Sequence, residues 1–479
     1  MKFKLDPYEW QHNALDMAQE MPDLALLAEM GTGKTGAVIN ILRSKMTENK
    51  RFLRTLILAP QVTLFNWADE IEKHSYINRD SIVVLHKQGS AGKLKQLEKE
   101  MGDGKRIVVL NYEALLSDKL FDWLMSWGPE VLIGDEAHMV KNHKAKRSKK
   151  VLKLADRCAH RYILTGTPIL NNISDVFMQY RILDGGKTFG DSFYVFQSTY
   201  MKDMNSSWKN KGASYYSDWQ PRPEKYPELQ EKIYKKAIRV LKKDCLDLPD
   251  LIKKVVKVQL SKKQRTYYEQ MKRDFVTFVK EQHKEGMVVA QLAVTKALRL
   301  QQIVSGFVMD EDGKVIEIED NPRLKAVKEL LQGLHTNHKV ILWCCFKHDY
   351  RQLEKMCLEL ELEPVFLTGE MNLQGKKDAM DRFNSDDKCR VIIANRRAGG
   401  IGVNLVAASY SIVYSRNFAL ADELQSEARN HRGGSQIHEK ITKLDMCAID
   451  TIDEMVLEAL QNKQNVSDKI IDLAKEEQL

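Results

Sequence analysis

The chain has 479 residues, with 74 Lys and Arg against 66 Asp and Glu and a formal net charge of +8, so it is long enough for several packed cores, roughly three domain-sized units. That mild basic excess argues for a polyanionic partner only where the positive charge is clustered. The seven cysteines form no CxxC pair and no zinc-like spacing with His, which reads as reduced thiols, and neither an apolar signal region in MKFKLDPYEW nor a run near the ~18 apolar residues of a membrane span is present, so the expected location is cytoplasmic.

In chain order, the apolar run LALLA (24–28) enters a glycine-rich turn, EMGTGKT (29–35), and continues into GAVINIL, which has helical character. A strand that ends in GxGKT and passes into a helix aims backbone N–H groups at phosphates. Gly31, Thr32, Gly33, Lys34 and Thr35 are therefore expected to cradle a nucleoside triphosphate, with Lys34 on the β/γ oxygens. TLILAP (55–60), SIVVLH (81–86), RIVVLN (106–111), VLIGDE (131–136) and RYILTG (161–166) follow as β-branched runs without polar alternation, the pattern of buried parallel strands with crossover helices. The fourth of these delivers Asp135 and Glu136. Asp135 with Thr35 is placed to hold Mg²⁺, and Glu136 to activate the attacking water, so the pair reads as hydrolysis of ATP rather than binding alone.

Residues 173–320 lack that rhythm and carry segments with helical spacing, such as KKQRTYYEQMKRDFVTFVKEQ. Pro249 in DLPDL (247–251) marks the expected crossing between lobes. A second strand series begins at KVILWC (339–344) and runs through PVFLTG, RVIIAN, SIVYS and ITKLDMCA to a helical tail from TIDEMVLEAL onward. The fold class expected is α/β, with two parallel-sheet lobes and helical insertions between them. The divisions are 1–182 for the ATP-binding lobe, 183–245 for a helical insertion, 246–320 for the crossing segment and second insertion, and 321–479 for the second lobe with its tail.

GKT and DEAH in the first lobe and a paired-arginine segment in the second resemble the parts of superfamily 2 helicases and translocases, whose lobes are RecA-like. The finer similarity is to the Snf2-like branch, in DEAHMVKN (135–142), LTGTPILNN (164–172), ANRRAGGIGVNLVAA (394–408) and QSEARNHRGGSQ (425–436). Gln11 resembles that family's adenine-reading glutamine, although taken alone it is an exposed helix residue. Gly402 and Asn404 are expected to line the nucleotide cleft. Arg429 and Arg432, three apart and on one face if EARNHR is helical, resemble arginine fingers that stabilise charge on the transferring phosphoryl group. His138, Thr165, Thr167 and Gln425 are expected to link hydrolysis to lobe position.

The resemblance also implies a DNA partner held mainly through its phosphate backbone, without base reading. Contacts are expected where strands end, at Pro60, Gln61 and Thr63, Asn111 and Tyr112, Lys347, Thr368 and Gly369, and Arg396 with Arg397. Arg396 stands where the family usually has Ser or Thr and would be a stronger phosphate contact. The basic run KNHKAKRSKK (141–150) reads equally as a solvated helix face or a phosphate-facing surface. Trp67, Trp123 and Trp127 read as packing residues. The family implies an ATP-dependent, duplex-tracking DNA helicase or translocase, and the absence of reader modules suggests a small viral or bacterial enzyme remodelling branched DNA, in the host cytoplasm if viral. The alternatives are a remodeller that strips proteins such as RNA polymerase from DNA, and a nucleotide-gated clamp that does not step.

Overall fold

The computed structural model describes residues 2–87, 89–102, 104–170, 172–206, 217–281, 286–310, 312–396 and 404–471. Two compact units divide the chain, one built on Met1–Met204 with Asp218–Leu246 and the other on Asp247–Asn462. Each encloses a parallel sheet, as the two series of apolar runs require.

The first unit contains α1 (Glu9–Glu20), β1 (Asp23–Ala28), α2 (Lys34–Glu48), β2 (Thr55–Ala59), α3 (Leu64–His74), β3 (Ile82–Val84), α4 (Gly89–Glu100), β4 (Ile107–Asn111), α5 (Asp118–Trp127), β5 (Val131–Asp135), α6 (Lys146–Ala155), β6 (His160–Leu164), α7 (Asp175–Asp184) and α8 (Phe193–Tyr200). It closes with a small antiparallel pair, β7 (Met201–Asp203) and β8 (Trp219–Pro221), then α9 (Tyr226–Tyr234), β9 (Ala237–Val240) and α10 (Lys242–Cys245). Strand order in the main sheet is β3-β4-β2-β5-β6-β1-β9, all parallel. Because side chains alternate across a strand, Leu56 and Leu58 pack on one face with Val108, Leu110 and Leu132. Ile57 faces the other side with Val109 and Ile133, against α1, α2 and α3. Covered on both faces, the sheet needs no polar alternation, which is why its strands read as continuous apolar runs. The order places β6 between β1 and β5, so the turn after β6 lies beside the ends of both.

The second unit contains β10 (Asp250–Val258), α11 (Lys262–Glu281), α12 (Gly286–Val304), a β11–β12 hairpin (Phe307–Met309 and Val315–Glu317), α13 (Pro322–Gly333), β13 (Lys339–Cys344), α14 (Lys347–Glu359), β14 (Val365–Leu367), α15 (Leu373–Ser385), β15 (Val391–Asn395), β16 (Ala408–Val413), α16 (Leu420–Glu427), β17 (Lys440–Ala448) and the part of α17 (Ile452–Ile471) up to Asn462. Its sheet runs β10-β17-β16-β13-β15-β14, again all parallel. Leu342, Cys344 and Ile393 face one side, and Ile341, Trp343 and Ile392 the other. All seven cysteines are free thiols, five of them buried.

The stretch 173–320, expected to hold helical insertions and a crossing segment, also supplies edge strands to both sheets: β9 beside β1, and β10 in register with the whole of β17. Edge strands are covered incompletely. In β10, Lys253, Lys254 and Lys257 are exposed, and lysines on an edge discourage pairing with foreign strands. That same protection erases the apolar run by which a strand is recognised.

One buried charge pair ties the second unit together. Arg323, at the start of α13, donates to the main-chain carbonyl of Tyr414 at 2.9 Å and pairs with Asp453 at the start of α17. Asp453 also accepts from the Ala448 amide at 3.0 Å, fixing the turn from β17 into α17. Asp453→Ala strands a buried guanidinium and should destabilise this unit by about 3–5 kcal/mol, read as a shift of its urea midpoint.

Candidate functional site

The glycine-rich turn is held from several directions within the first unit. Gly31 and Gly33 have φ of +87° and +90°, the left-handed region that costs glycine nothing. Gly33 caps α2 with no side-chain acceptor, so the first N–H groups of that helix are free to face an anion. From α1, the Gln11 amide donates to the Gly33 carbonyl at 2.8 Å and the Trp10 indole to the Thr32 carbonyl at 3.2 Å. A Cβ on Gly33 would lie only 2.7 Å from the Gln11 nitrogen. Gln11 also accepts from the Tyr8 amide at 2.9 Å and is buried. Both ends of its amide are thus committed to the loop and to its own helix start, an arrangement that supports the turn rather than presenting the amide to a base.

The Lys34 ammonium donates to the carbonyls of Ala28 at 2.7 Å and Glu29 at 3.1 Å. Burial pushes its pKa down, and the nearby charges of Glu136 and Asp135 push it back up. The Thr32 hydroxyl donates to the same Glu29 carbonyl at 2.7 Å. A brace that sequence reasoning missed comes from β9 and α10. Arg239 donates to the carbonyls of Leu27 (3.1 Å) and Gly166 (3.3 Å), and the Lys242 amide donates to the Glu29 carboxylate at 2.7 Å. The only signal for it was the polar pattern RVLKKD after a short apolar pair.

At the end of β5, Asp135 and Glu136 are buried side by side. Burial is the main cause of the Asp135 pKa rising to about 6, followed by the Glu136 charge; the hydrogen bond from Trp67 and the Lys34 charge oppose them. The Trp67 indole N–H donates to Asp135 Oδ2 at 3.0 Å, and the Tyr112 hydroxyl to the Asp135 main-chain carbonyl at 2.7 Å. Glu136 has φ +51°, a left-handed conformation that costs a non-glycine residue on the order of 1–3 kcal/mol and concentrates at functional sites. Its Oε2 lies 3.2 Å from His138 Nδ1, which is also 3.4 Å from the Thr165 hydroxyl. Thr165 in turn accepts from the Thr167 amide at 3.1 Å. Asp135, Glu136, His138, Thr165 and Thr167 are therefore one connected group, built from the ends of β5 and β6. Gly166 completes it, its Cα facing the Ala28 carbonyl so closely that a Cβ would sit 3.3 Å from that oxygen.

The candidate polymer contacts of this unit fall into two sets. Pro60 and Gln61 reach solvent. Thr63 and Asn111 are buried: the Thr63 hydroxyl donates to the Pro60 carbonyl at 3.0 Å and the Asn111 amide to Glu113 at 2.9 Å. Tyr112 has almost no exposed surface and its hydroxyl serves Asp135, so the expectation that it touches nucleic acid is corrected. An apolar ring directly after a strand is drawn into the core. Of the basic run, Lys141 pairs with Asp175, Arg147 with Glu113 and Lys150 with Asp118, while Lys144, Lys146 and Lys149 are exposed.

In the second unit the main correction concerns Arg396. Its side chain is about 1% exposed and pairs with Glu423 of α16 at 2.5 Å, so it is a structural cation and not a surface one. Lys443 of β17 meets the same carboxylate and reaches Glu427 at 3.3 Å, and Arg416 pairs with Asp445 at 2.9 Å. Glu423 is held well below the usual carboxylate range: Arg396, Lys443 and Arg416 outweigh its burial. Arg429 and Arg432 are not on a common helical face, because α16 ends at Glu427 and both lie in the turns beyond it. Arg429 is buried, and its carbonyl accepts from the Leu405 amide at 3.0 Å. Gln425 is half-buried on α16 and Asn404 is exposed. Lys347 lies at the exposed start of α14, paired with Glu370, and Thr368 and Gly369 follow β14. Arg397 and Gly402 lie outside the described residues.

Arg396→Ala leaves Glu423 buried with one cation fewer and should cost about 3–5 kcal/mol in urea unfolding of the second unit. Glu136→Gln acts in the opposite direction on the first unit. Removing a like charge from beside Asp135 should raise the melting temperature of the nucleotide-free protein, by an amount on the order of 1–3 kcal/mol in stability.

Two family models match the chain in tandem: the SNF2-related domain over residues 14–306 and the helicase conserved C-terminal domain over residues 322–434. The chain is 26% identical to the CHD3-type chromatin-remodeling factor PICKLE of Arabidopsis thaliana, over 97% of this chain and 34% of that protein. It is likewise 26% identical to the transcription regulatory protein SNF2 of Saccharomyces cerevisiae, over 94% and 26%. It thus spans about a third of the length of the curated relatives it matches. A solved SWI2/SNF2 ATPase core of Sulfolobus solfataricus in complex with dsDNA is 22% identical, covering 99% of this chain and 96% of that one with a TM-score of 0.44. Since the first model alone matches well over half of the sequence, the protein belongs to the SNF2-related family of superfamily 2 and is an ATP-hydrolysing enzyme of the helicase type.

Proposed function

We propose that the protein tracks along the backbone of duplex DNA at the expense of ATP and uses that movement to remodel or strip proteins bound there. The observation that carries this reading is the tandem match of the two family models along the chain, together with similarity over nearly its whole length to relatives named for chromatin remodelling and transcription regulation. Branch migration and fork processing, the activities suggested by the shortness of the chain, have no such support among the relatives.

In this reading Gly31, Thr32, Gly33 and the start of α2 cradle the triphosphate, and Lys34 exchanges its two carbonyl acceptors for phosphate oxygens. The donor set suits Mg²⁺. Two buried carboxylates face one ammonium, an excess of negative charge that a divalent cation balances, and Mg²⁺ is commonly held by one or two carboxylates together with substrate phosphates. Asp135 and Thr35 would hold the ion, which neutralises charge developing on the phosphates when bound. Glu136 takes the proton of the attacking water, oriented by His138. Arg429 and Arg432 are assigned to transition-state charge. The exposed Lys144, Lys146, Lys149 and Lys347 are suited to a phosphate backbone, each contact adding about one unit to the log–log salt slope.

Lys34→Ala should abolish tight nucleotide binding, whereas Glu136→Gln should keep ATP bound and lower kcat by at least about 10²-fold, measured by equilibrium binding and single-turnover hydrolysis. Parent-rate hydrolysis by Glu136→Gln removes the role given to Glu136. For the work performed, a labelled linear duplex carrying a tightly bound, catalytically inactive restriction endonuclease should be cleared in an ATP-dependent manner, while a four-way junction of the same length stays intact. The reverse outcome favours the branched-DNA motor. ATPase stimulation by duplex with neither product identifies a clamp that does not step.

A further inference from the structure

Trp67 lies one helical turn into α3 and is only 2% exposed. Its indole N–H is a donor with no acceptor function, and a buried donor requires a partner. Any main-chain carbonyl would satisfy it, yet it donates to Oδ2 of Asp135 at 3.0 Å. The same residue is gripped through its main chain by the Tyr112 hydroxyl at 2.7 Å. Gly134 makes that approach possible, since a Cβ there would stand 3.2 Å from the hydroxyl. The side chain and backbone of Asp135 thus each accept from a different aromatic donor, Trp67 and Tyr112, and the Glu136 amide also donates to the Asp135 carboxylate.

The origin of α3 gives this contact further meaning. The helix starts directly after a short 3-10 turn, Gln61–Thr63, which follows the end of β2. Both the amide and the hydroxyl of Thr63 donate to the Pro60 carbonyl at 3.0 Å, so the turn is closed on itself. Thr63 and Trp67 are four residues apart, about 6 Å along a helix axis. A displacement of the turn therefore moves the indole, and with it the carboxylate that the indole holds. Nothing in the packing of Trp67 against its apolar neighbours calls for the N–H to face an acid rather than a carbonyl.

We propose that Trp67 is the positioning residue through which the Pro60–Thr63 turn sets the cation-holding carboxylate of Asp135. A polymer seated on that turn then changes how tightly the divalent cation is held. The inference rests on the reading of Asp135 as a cation ligand.

The test is Mn²⁺ binding to the full chain with a non-hydrolysable ATP analogue, measured by electron paramagnetic resonance with and without duplex DNA, so that turnover is not the readout. Trp67→Phe should weaken Mn²⁺ about 10- to 100-fold, the usual loss when the partner of a metal ligand is removed. It should also abolish the change in Mn²⁺ affinity that duplex DNA produces in the parent. Should the phenylalanine variant fail to fold, β-(3-benzothienyl)alanine at position 67 keeps the bicyclic shape and removes only the N–H, and the same two losses are expected. Parent-like Mn²⁺ affinity in either folded variant overturns the proposal, as does a duplex effect that is absent from the parent or survives the substitution. Asp135→Ala separates the two layers of the argument. If it retains parent affinity for Mn²⁺, the ligand assignment itself is wrong. If it loses Mn²⁺ while Trp67→Phe does not, only the role of Trp67 falls.

Discussion

Two adjacent carboxylates, Asp135 and Glu136, are buried at the end of one strand with a single ammonium, Lys34, close enough to temper them. Such a cluster is costly unless its geometry is fixed and its lone pairs are met, and much of the first unit serves that end. Trp67 and Tyr112 supply donors from α3 and from the end of β4, His138 faces Glu136 from the turn that follows, and Thr165 approaches His138 from β6. The backbone at Glu136 is left-handed, with φ of +51°. Stability is given up locally so that charge can be available for chemistry, a trade common to active sites.

Strand order is what allows one turn to touch both halves of the site. With β6 between β1 and β5, the segment Thr165–Gly166–Thr167 sits against the glycine-rich turn on one side and against His138 on the other. The glycine-rich turn thereby meets the backbone of Gly166, while Thr165 beside it meets His138 and, through that ring, Glu136. The brace from Arg239 and Lys242 adds a third support that comes from more than two hundred residues further along the chain.

The second unit uses the opposite strategy. Arg396, Lys443 and Arg416 are buried beside the acids Glu423 and Asp445, and Lys443 also reaches the half-buried Glu427, so each of these cations has an acidic partner within the unit. Arg396 extends from the end of β15, Glu423 and Glu427 belong to α16, and Lys443 and Asp445 to β17. The cluster thereby joins the end of β15 to α16 and β17. An arginine in this setting gives up the surface role that its charge suggests and becomes a structural cation.

The sequence by itself determined the two parallel sheets, because strands covered on both faces must be continuously apolar, and it determined the glycine-rich turn ahead of α2, because positive φ at Gly31 and Gly33 is a local requirement. The adjacency of Asp135 and Glu136 was equally legible, being a matter of neighbouring residues. Strand β10 was not, since its exposed lysines mimic a solvated helix or loop. The function of a polar side chain after a strand was also undecided: Lys347 stays at the surface, whereas Arg396 and Tyr112 turn inward. Which way such a residue points depends on whether the fold supplies a buried partner, Glu423 in one case and the Asp135 carbonyl in the other. Those partners come from distant parts of the chain, 27 and 23 residues away, and only the packed tertiary structure brings them within reach.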